Sequence, residues 1–191
     1  MREWLSLYDS KSGERGIYNS LAARQQVEKM NTEEHIRRKP RNDFGTNPCS
    51  EIILRSREFC NLSEVVIRGD DTLESLENKI KLATIIGTFQ STLTSFKYLS
   101  KEWKNNCEEE RLLGVSLTGI MDNSLTNGKK GNLKDLLDKL KNVAIKTNKE
   151  FSKKLNIPQS AAITCVKPSG TVSQLVDSAS GIHARHNNYY I

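Results

Sequence analysis

The run Asn47-Pro48-Cys49-Ser50-Glu51 gathers an amide, a thiol and a carboxylate within five residues. Proline restricts Asn47 to extended backbone and fixes the chain as it enters the cysteine. A short β-type run, Glu51-Ile52-Ile53-Leu54, follows at once. Cys49 then stands at the tip of a stiff loop, and Glu51 reaches the same ligand if that loop projects into a cavity. Asn47 adds a group that both donates and accepts hydrogen bonds. The chemistry this permits is redox or nucleophilic, with its own base. A loop cysteine ahead of a strand is also a common structural feature, and spacing alone leaves both readings open.

The other cysteines are Cys60, Cys107 and Cys165. No two of the four have C-x-x-C spacing, and no histidine lies near the first three, which argues against a zinc site. No metal ligand set is assigned. On its own Cys60 reads as a buried thiol in a β-hairpin, Cys107 as surface or inert, and Cys165 as a packed thiol on an apolar strand. Farther on, Pro168-Ser169-Gly170-Thr171-Val172 follows a strand-like run. Its glycine lets backbone N–H groups approach an anion, and two hydroxyls add donors. The G-x-x-x-x-G-K-[ST] spacing of a Walker loop is absent. His183, Arg185 and His186 face either nearby phosphates or solvent, and no catalytic part is given to them.

Several elements must hold these groups in place. An amphipathic scrap, Trp4-Leu5-Ser6-Leu7-Tyr8, precedes the turn Gly13-Glu14-Arg15-Gly16, and a helix is expected over about 18–30. Residues 31–44, with the basic run His35-Ile36-Arg37-Arg38-Lys39-Pro40-Arg41, read as a surface loop. Glu64-Val65-Val66-Ile67 is a second β-run. Asp71-Thr72 offers a cap for a helix expected over about 72–99, with Leu73, Leu76, Ile80 and Ala83 at helical spacing. Leu112 to Gly119 reads as a buried strand, about 132–155 as a helix, and Ala161 to Val166 as a strand. The order strand, helix, strand, helix, strand predicts an α/β fold with parallel pairing, and the strands are too few to close a barrel.

Composition bounds the rest. At 191 residues the chain accommodates one domain, 1–191, and not two. No stretch approaches the roughly 18 consecutive apolar residues of a membrane span, and no signal peptide opens the sequence, so a cytoplasmic, membrane-free protein is expected. The net charge of +6 suits polyanionic ligands. It does not choose between nucleotide and nucleic acid, but the absence of interleaved aromatics and of any nucleic-acid motif argues against direct nucleic-acid binding.

The loop resembles the N-P-C-x-E finger loop of ribonucleotide reductases. Cys60-Asn61-Leu62 follows at the family's distance. Gly114-Val115-Ser116-Leu117-Thr118-Gly119 and Lys167-Pro168-Ser169-Gly170-Thr171-Val172-Ser173-Gln174-Leu175 resemble later family motifs, and Gly181-Ile182-His183-Ala184-Arg185 resembles the one after them. The resemblance covers nearly the whole chain, in order. It implies a thiyl radical on Cys49 that takes hydrogen from the ribose 3′ carbon. It also implies Glu51 as base for the 3′ hydroxyl, Asn47 as anchor for the ribose hydroxyls, and Cys60 as half of a reducing dithiol. Pro168, Ser169, Gly170, Thr171 and Val172 match the substrate phosphate loop.

Pro48, where reductases with a separate radical subunit usually have leucine, resembles the adenosylcobalamin-dependent class, and the phosphate-loop wording its monomeric branch. That implies adenosylcobalamin as cofactor, ribonucleoside triphosphates as substrates and a thioredoxin-type reductant. Ser50 departs from the class, which often has glycine there. The fold implied is a ten-stranded α/β barrel, incomplete in this chain. No cysteine precedes Cys49 to complete the dithiol, and the C-terminal shuttle thiols of the family are missing. The expectation is therefore an internal segment, inactive by itself and completed by companion reductase fragments. The alternative is a non-catalytic split or truncated remnant that only binds nucleotide phosphates or partner fragments.

Overall fold

The computed structural model describes residues 2–12, 16–31, 38–39, 43–187 and 189. The turn at Gly13-Glu14-Arg15 and most of the basic run 35–41 lie outside the described residues, as do Tyr190 and Ile191. Two helices, α1 (Arg2–Ser10) and α2 (Ser20–Met30), come first. A hairpin follows, of β1 (Gly45–Thr46) and β2 (Ile53–Leu54), antiparallel with Gly45 opposite Leu54. The main layer begins at β3 (Asn61–Val66), continues through α3 (Leu73–Gln90) and α4 (Lys101–Glu110), and returns at β4 (Leu113–Thr118). Then come α5 (Leu133–Lys154) and the short α6 (Thr171–Leu175).

β3 and β4 pair in parallel, Asn61 with Leu113 through to Val66 with Thr118. The expected parallel α/β arrangement is thus present. Val65, Ile67, Leu113 and Val115 send one face of this pair into a core with Leu76, Ile80 and Ala83 of α3 and Leu140 and Ala144 of α5. The opposite face is free to carry polar groups. Capping explains where the long helices start. Thr72 and Ser75 exchange hydrogen bonds in a capping box ahead of α3, and Asn132 accepts from Lys134 and Asp135 ahead of α5.

Three expectations need correction. The helix expected to run to 99 ends at Gln90, where Thr84, Thr88 and Ser91 turn their hydroxyls back onto carbonyls of the preceding turn. A separate helix, α4, occupies 101–110, where none was foreseen. The strand expected over 161–166 makes a single parallel bridge, Thr164 with Val115, although amide bonds from Leu113 and Val115 to the carbonyls of Ala162 and Ile163 hold it along β4. Among the described residues no helix is long and apolar enough to cross a membrane.

Candidate active site

The Asn47–Glu51 loop closes the β1–β2 hairpin. Its shape is set by Asn47, whose amide oxygen accepts from Ile52 N–H at 3.0 Å while its carbonyl accepts from Ser50 N–H at 3.0 Å. The acceptor half of the side chain is therefore spent on the loop, and the Nδ2 donors remain for a ligand. Ser50 sits at φ 62°, in the left-handed region that favours glycine. That gives a physical reason for glycine at this position. Cys49 is exposed at the tip. Ile52, 8% exposed, pins the returning strand. Glu51 turns inward, and its Oε2 is buried without a hydrogen-bond partner. A buried acceptor in that state awaits a donor.

Glu51 acts on two thiols. Cys60, just before β3, has its pKa raised above the ordinary thiol value, first by burial and then by Cys165, Glu58 and Glu51, with Arg38 opposing. Cys165 is pushed up to about 11 by burial and Glu51, against Lys167 and a hydrogen bond with Ser116. Both groups therefore remain protonated thiols at neutral pH and can give up hydrogen without first being thiolates. Cys60 does not lie in a hairpin; it leads into a parallel strand.

Gly114 brings these sulfurs together. A Cβ there would lie 3.2 Å from both Cys60 Sγ and Cys165 Sγ and would collide with Leu62 Cδ2. Glycine in mid-strand is otherwise unfavourable, so its place here follows from close approach. Cys165, read from sequence as an inert packed thiol, is thus part of the cluster. Glu64, paired across the strands with Ser116, adds two buried oxygens without hydrogen bonds, with Lys167 Nζ 3.6 Å away. Neither Glu64 nor Gly114 stood out as a site residue in the sequence. The signal was alternation: both occupy the face of β3 and β4 that the core leaves free. Cys107 is buried, not on the surface, and accepts from Phe59 N–H at 3.4 Å.

The Pro168–Val172 turn begins α6. Ser169 is buried and its hydroxyl has no hydrogen-bond partner, whereas Pro168, Gly170, Thr171 and Val172 are exposed. Lys167 N–H donates to Ser116 Oγ at 2.9 Å, which ties the turn to β4 beside the thiols. From the other side, Thr118 Oγ1 accepts from Gly181 N–H at 2.9 Å, and a Cβ at Gly181, which sits at φ 54°, would lie 3.3 Å from the Lys167 carbonyl oxygen. The Gly114–Gly119 and Gly181–Arg185 motifs therefore brace the turn between them. Arg185 is engaged with Asp122 and Asp177 at 3.1 and 2.7 Å, and His183 is exposed.

Comparison with known proteins places these features in context. No family model matches the chain. A probable adenosylcobalamin-dependent ribonucleoside-triphosphate reductase of Dictyostelium discoideum is 32% identical over 156 residues, 80% of this chain and 20% of its own length. The enzyme of that name from Euglena gracilis is 31% identical over 77% of this chain and 20% of its own length. That of Lacticaseibacillus paracasei is 28% identical over 98% of this chain and 28% of its own length. A crystal structure of a B12-dependent class II ribonucleotide reductase superposes with a TM-score of 0.58 and 26% identity, over 74% of this chain and 23% of the other. The chain therefore spans between a fifth and somewhat over a quarter of the length of these relatives.

Proposed function

We infer that this chain, a homologue of one segment of the adenosylcobalamin-dependent ribonucleoside-triphosphate reductases, supplies the radical-bearing loop and the phosphate turn for reduction of ribonucleoside triphosphates. The observation that carries this reading is Glu51, inward with a free buried oxygen and acting on the protonated thiol of Cys60, on the same hairpin loop as the exposed Cys49.

Each residue has a part. As a thiyl radical, Cys49 takes hydrogen from the ribose 3′ carbon and returns it after reduction. The Asn47 Nδ2 donors hold the ribose hydroxyls. Glu51 takes the 3′ hydroxyl proton, so that the 2′ hydroxyl leaves as water. Cys60 gives one of the two electrons and hydrogens, with a thiol of a companion reductase segment giving the other. The disulfide so formed is reset by a thioredoxin-type reductant. The substrate phosphates rest on the Pro168–Val172 turn, where Ser169 Oγ and the first N–H groups of α6 have donors to spare. One feature fits the cofactor: Cys49 stands open to solvent, so a radical formed beside it has access to Sγ. When bound, adenosylcobalamin supplies that initiating radical by cobalt–carbon homolysis. No residue of this chain is assigned as a contact to it. In this reading the sheet forms part of the reductase barrel, completed by companion segments.

The test is deoxyribonucleotide formation by the chain mixed with companion reductase segments, adenosylcobalamin, a dithiol reductant and ribonucleoside triphosphate. Cys49→Ser should lower turnover to background, and Glu51→Gln should lower it by about two to four orders of magnitude, the usual weight of a general base. No product from the complete mixture, with nucleotide binding retained, would leave the chain as a phosphate-binding remnant.

A further inference from the structure

Four buried charges stand beside the Asn47–Glu51 loop without belonging to it. Arg38 is 3% exposed, Glu58 5% and Glu110 2%, and the side chain of Arg55 is 9% exposed. Arg38 was expected on a solvated basic loop. Instead its Nη2 donates to the Ile53 carbonyl of β2 at 2.8 Å, and its Nε lies 2.7 Å from Glu110 Oε2 at the end of α4. Glu58 Oε2 stands 3.6 Å from the same guanidinium. Arg55, directly after β2, faces Glu110 Oε1 at 3.1 Å and Glu58 Oε1 at 3.4 Å, and donates to the Asn106 carbonyl at 3.0 Å. Its backbone N–H donates to Glu58 Oε2 at 2.8 Å. The Phe44 ring, just before β1, lies 5.0 Å from the Arg38 guanidinium.

Both strands of the hairpin are thus fastened to α4, β1 through Phe44 and β2 through Ile53 and Arg55. A buried ion cluster is a poor choice for stability, because apolar side chains of similar volume often do as well or better. It does impose one geometry. The hairpin has two paired residues in each strand, and a two-stranded hairpin by itself is marginal in water. Its loop needs outside support to hold a fixed position.

We propose that Arg38, Arg55, Glu58 and Glu110 are positioning residues, a buried ion cluster that sets where the Asn47–Glu51 loop stands above β3 and β4. Its catalytic meaning rests on the reading given above; its mechanical effect does not. The cluster is also sensitive to protons. Burial and the charge of Glu110 push the Glu58 carboxyl up to about 7, against the pull of Arg55 and Arg38. Cys107 and Glu109 on α4, the latter 2.8 Å from Arg55 Nη1, and Cys60 ahead of β3 are other titratable groups facing it. An undocked Glu58 returns toward its ordinary value of 4.5. Between these values the docked loop holds a proton that the undocked loop releases. Docking therefore weakens as pH rises from about 4.5 to about 7 and levels off above.

Amide hydrogen exchange on the whole chain, corrected for intrinsic rates, tests this. Arg38→Met should lower protection of residues 45–54 at least tenfold while leaving strands 61–66 and 113–118 unchanged, and Arg38→Lys should restore part of it. Glu58→Gln keeps the volume but cannot ionise. It should hold loop protection at the wild-type's acid-side level and abolish its decline between pH 5 and 7. Unaltered protection in Arg38→Met, an equal fall in every strand, or a Glu58→Gln profile that still declines would each overturn the proposal. None of these readouts involves turnover, so a failed reductase assay leaves them to be judged separately.

Discussion

Ser50 shows how one side chain bears on the Asn47–Glu51 loop. It occupies left-handed backbone, which disfavours any residue with a Cβ by roughly 1–2 kcal/mol. Thr46 Oγ1 lies 3.4 Å from the Ser50 hydroxyl, a weak compensation. Ser50→Gly should therefore stabilise the closed loop by up to about 1 kcal/mol, after the greater chain entropy of glycine is subtracted. Thermal denaturation of the two proteins measures this, and a lower melting temperature in the variant would refute it. Cys49 and Glu51, one residue away on either side, behave differently because the turn sends the thiol outward and the carboxylate inward. Their types and spacing were legible in the sequence. The inward turn of Glu51 toward two thiols was not, since it depends on where β3 and β4 lie.

At the level of elements, α3, α5 and the turn before Ala161 meet at one polar point. Asn148, fully buried in α5, donates to Thr88 Oγ1 at 3.0 Å and Ser160 Oγ at 2.9 Å and accepts from Ser160 N–H at 3.0 Å. Truncation removes three hydrogen bonds at once and takes this partner from both Ser160 N–H and Ser160 Oγ, while Thr88 keeps its bond to the Thr84 carbonyl. Each unsatisfied buried group costs about 1–3 kcal/mol. Asn148→Ala should thus destabilise the chain by about 2–4 kcal/mol in urea denaturation, whereas a change under about 1 kcal/mol would show that water replaces the amide. Periodicity announced both helices and Thr72 the start of the first; the Asn132 cap of the second is seen only in the structure, and the apolar spacing fixes which face meets the sheet. What escaped was tertiary. Gln90 ends α3 because hydroxyl-rich turns fold back on themselves, and α4, a polar helix, is held by Arg55 and Asn106 contacts that no pattern in 101–110 reveals. Arg38 misled for the same reason, because a basic run looks solvated until carboxylates from two other segments are seen to enclose one member of it.

For the molecule as a whole, the four thiols divide by access. Cys49 is exposed, while Cys107 is buried, Cys60 and Cys165 are half-buried, and burial raises the pKa of each of these three. At pH 8 a thiol reagent should modify Cys49 rapidly and the other three only at the rate of opening, all four becoming equivalent in denaturant. Mass spectrometry of the time course checks the order, and early labelling of Cys60 would contradict the packed arrangement around Gly114. The β3–β4 pairing makes this protection a late event. Asn61 pairs with Leu113 only after the whole of α3 and α4 has been spanned, and Thr164 joins β4 only after α5. Long-range parallel contacts of this kind are the slow step in chain assembly. Until the sheet closes, Cys60 and Cys165 remain reactive to any oxidant and to one another. Newly made chain therefore passes through an interval in which ambient redox conditions govern yield, and only the finished sheet withdraws these two thiols from circulation.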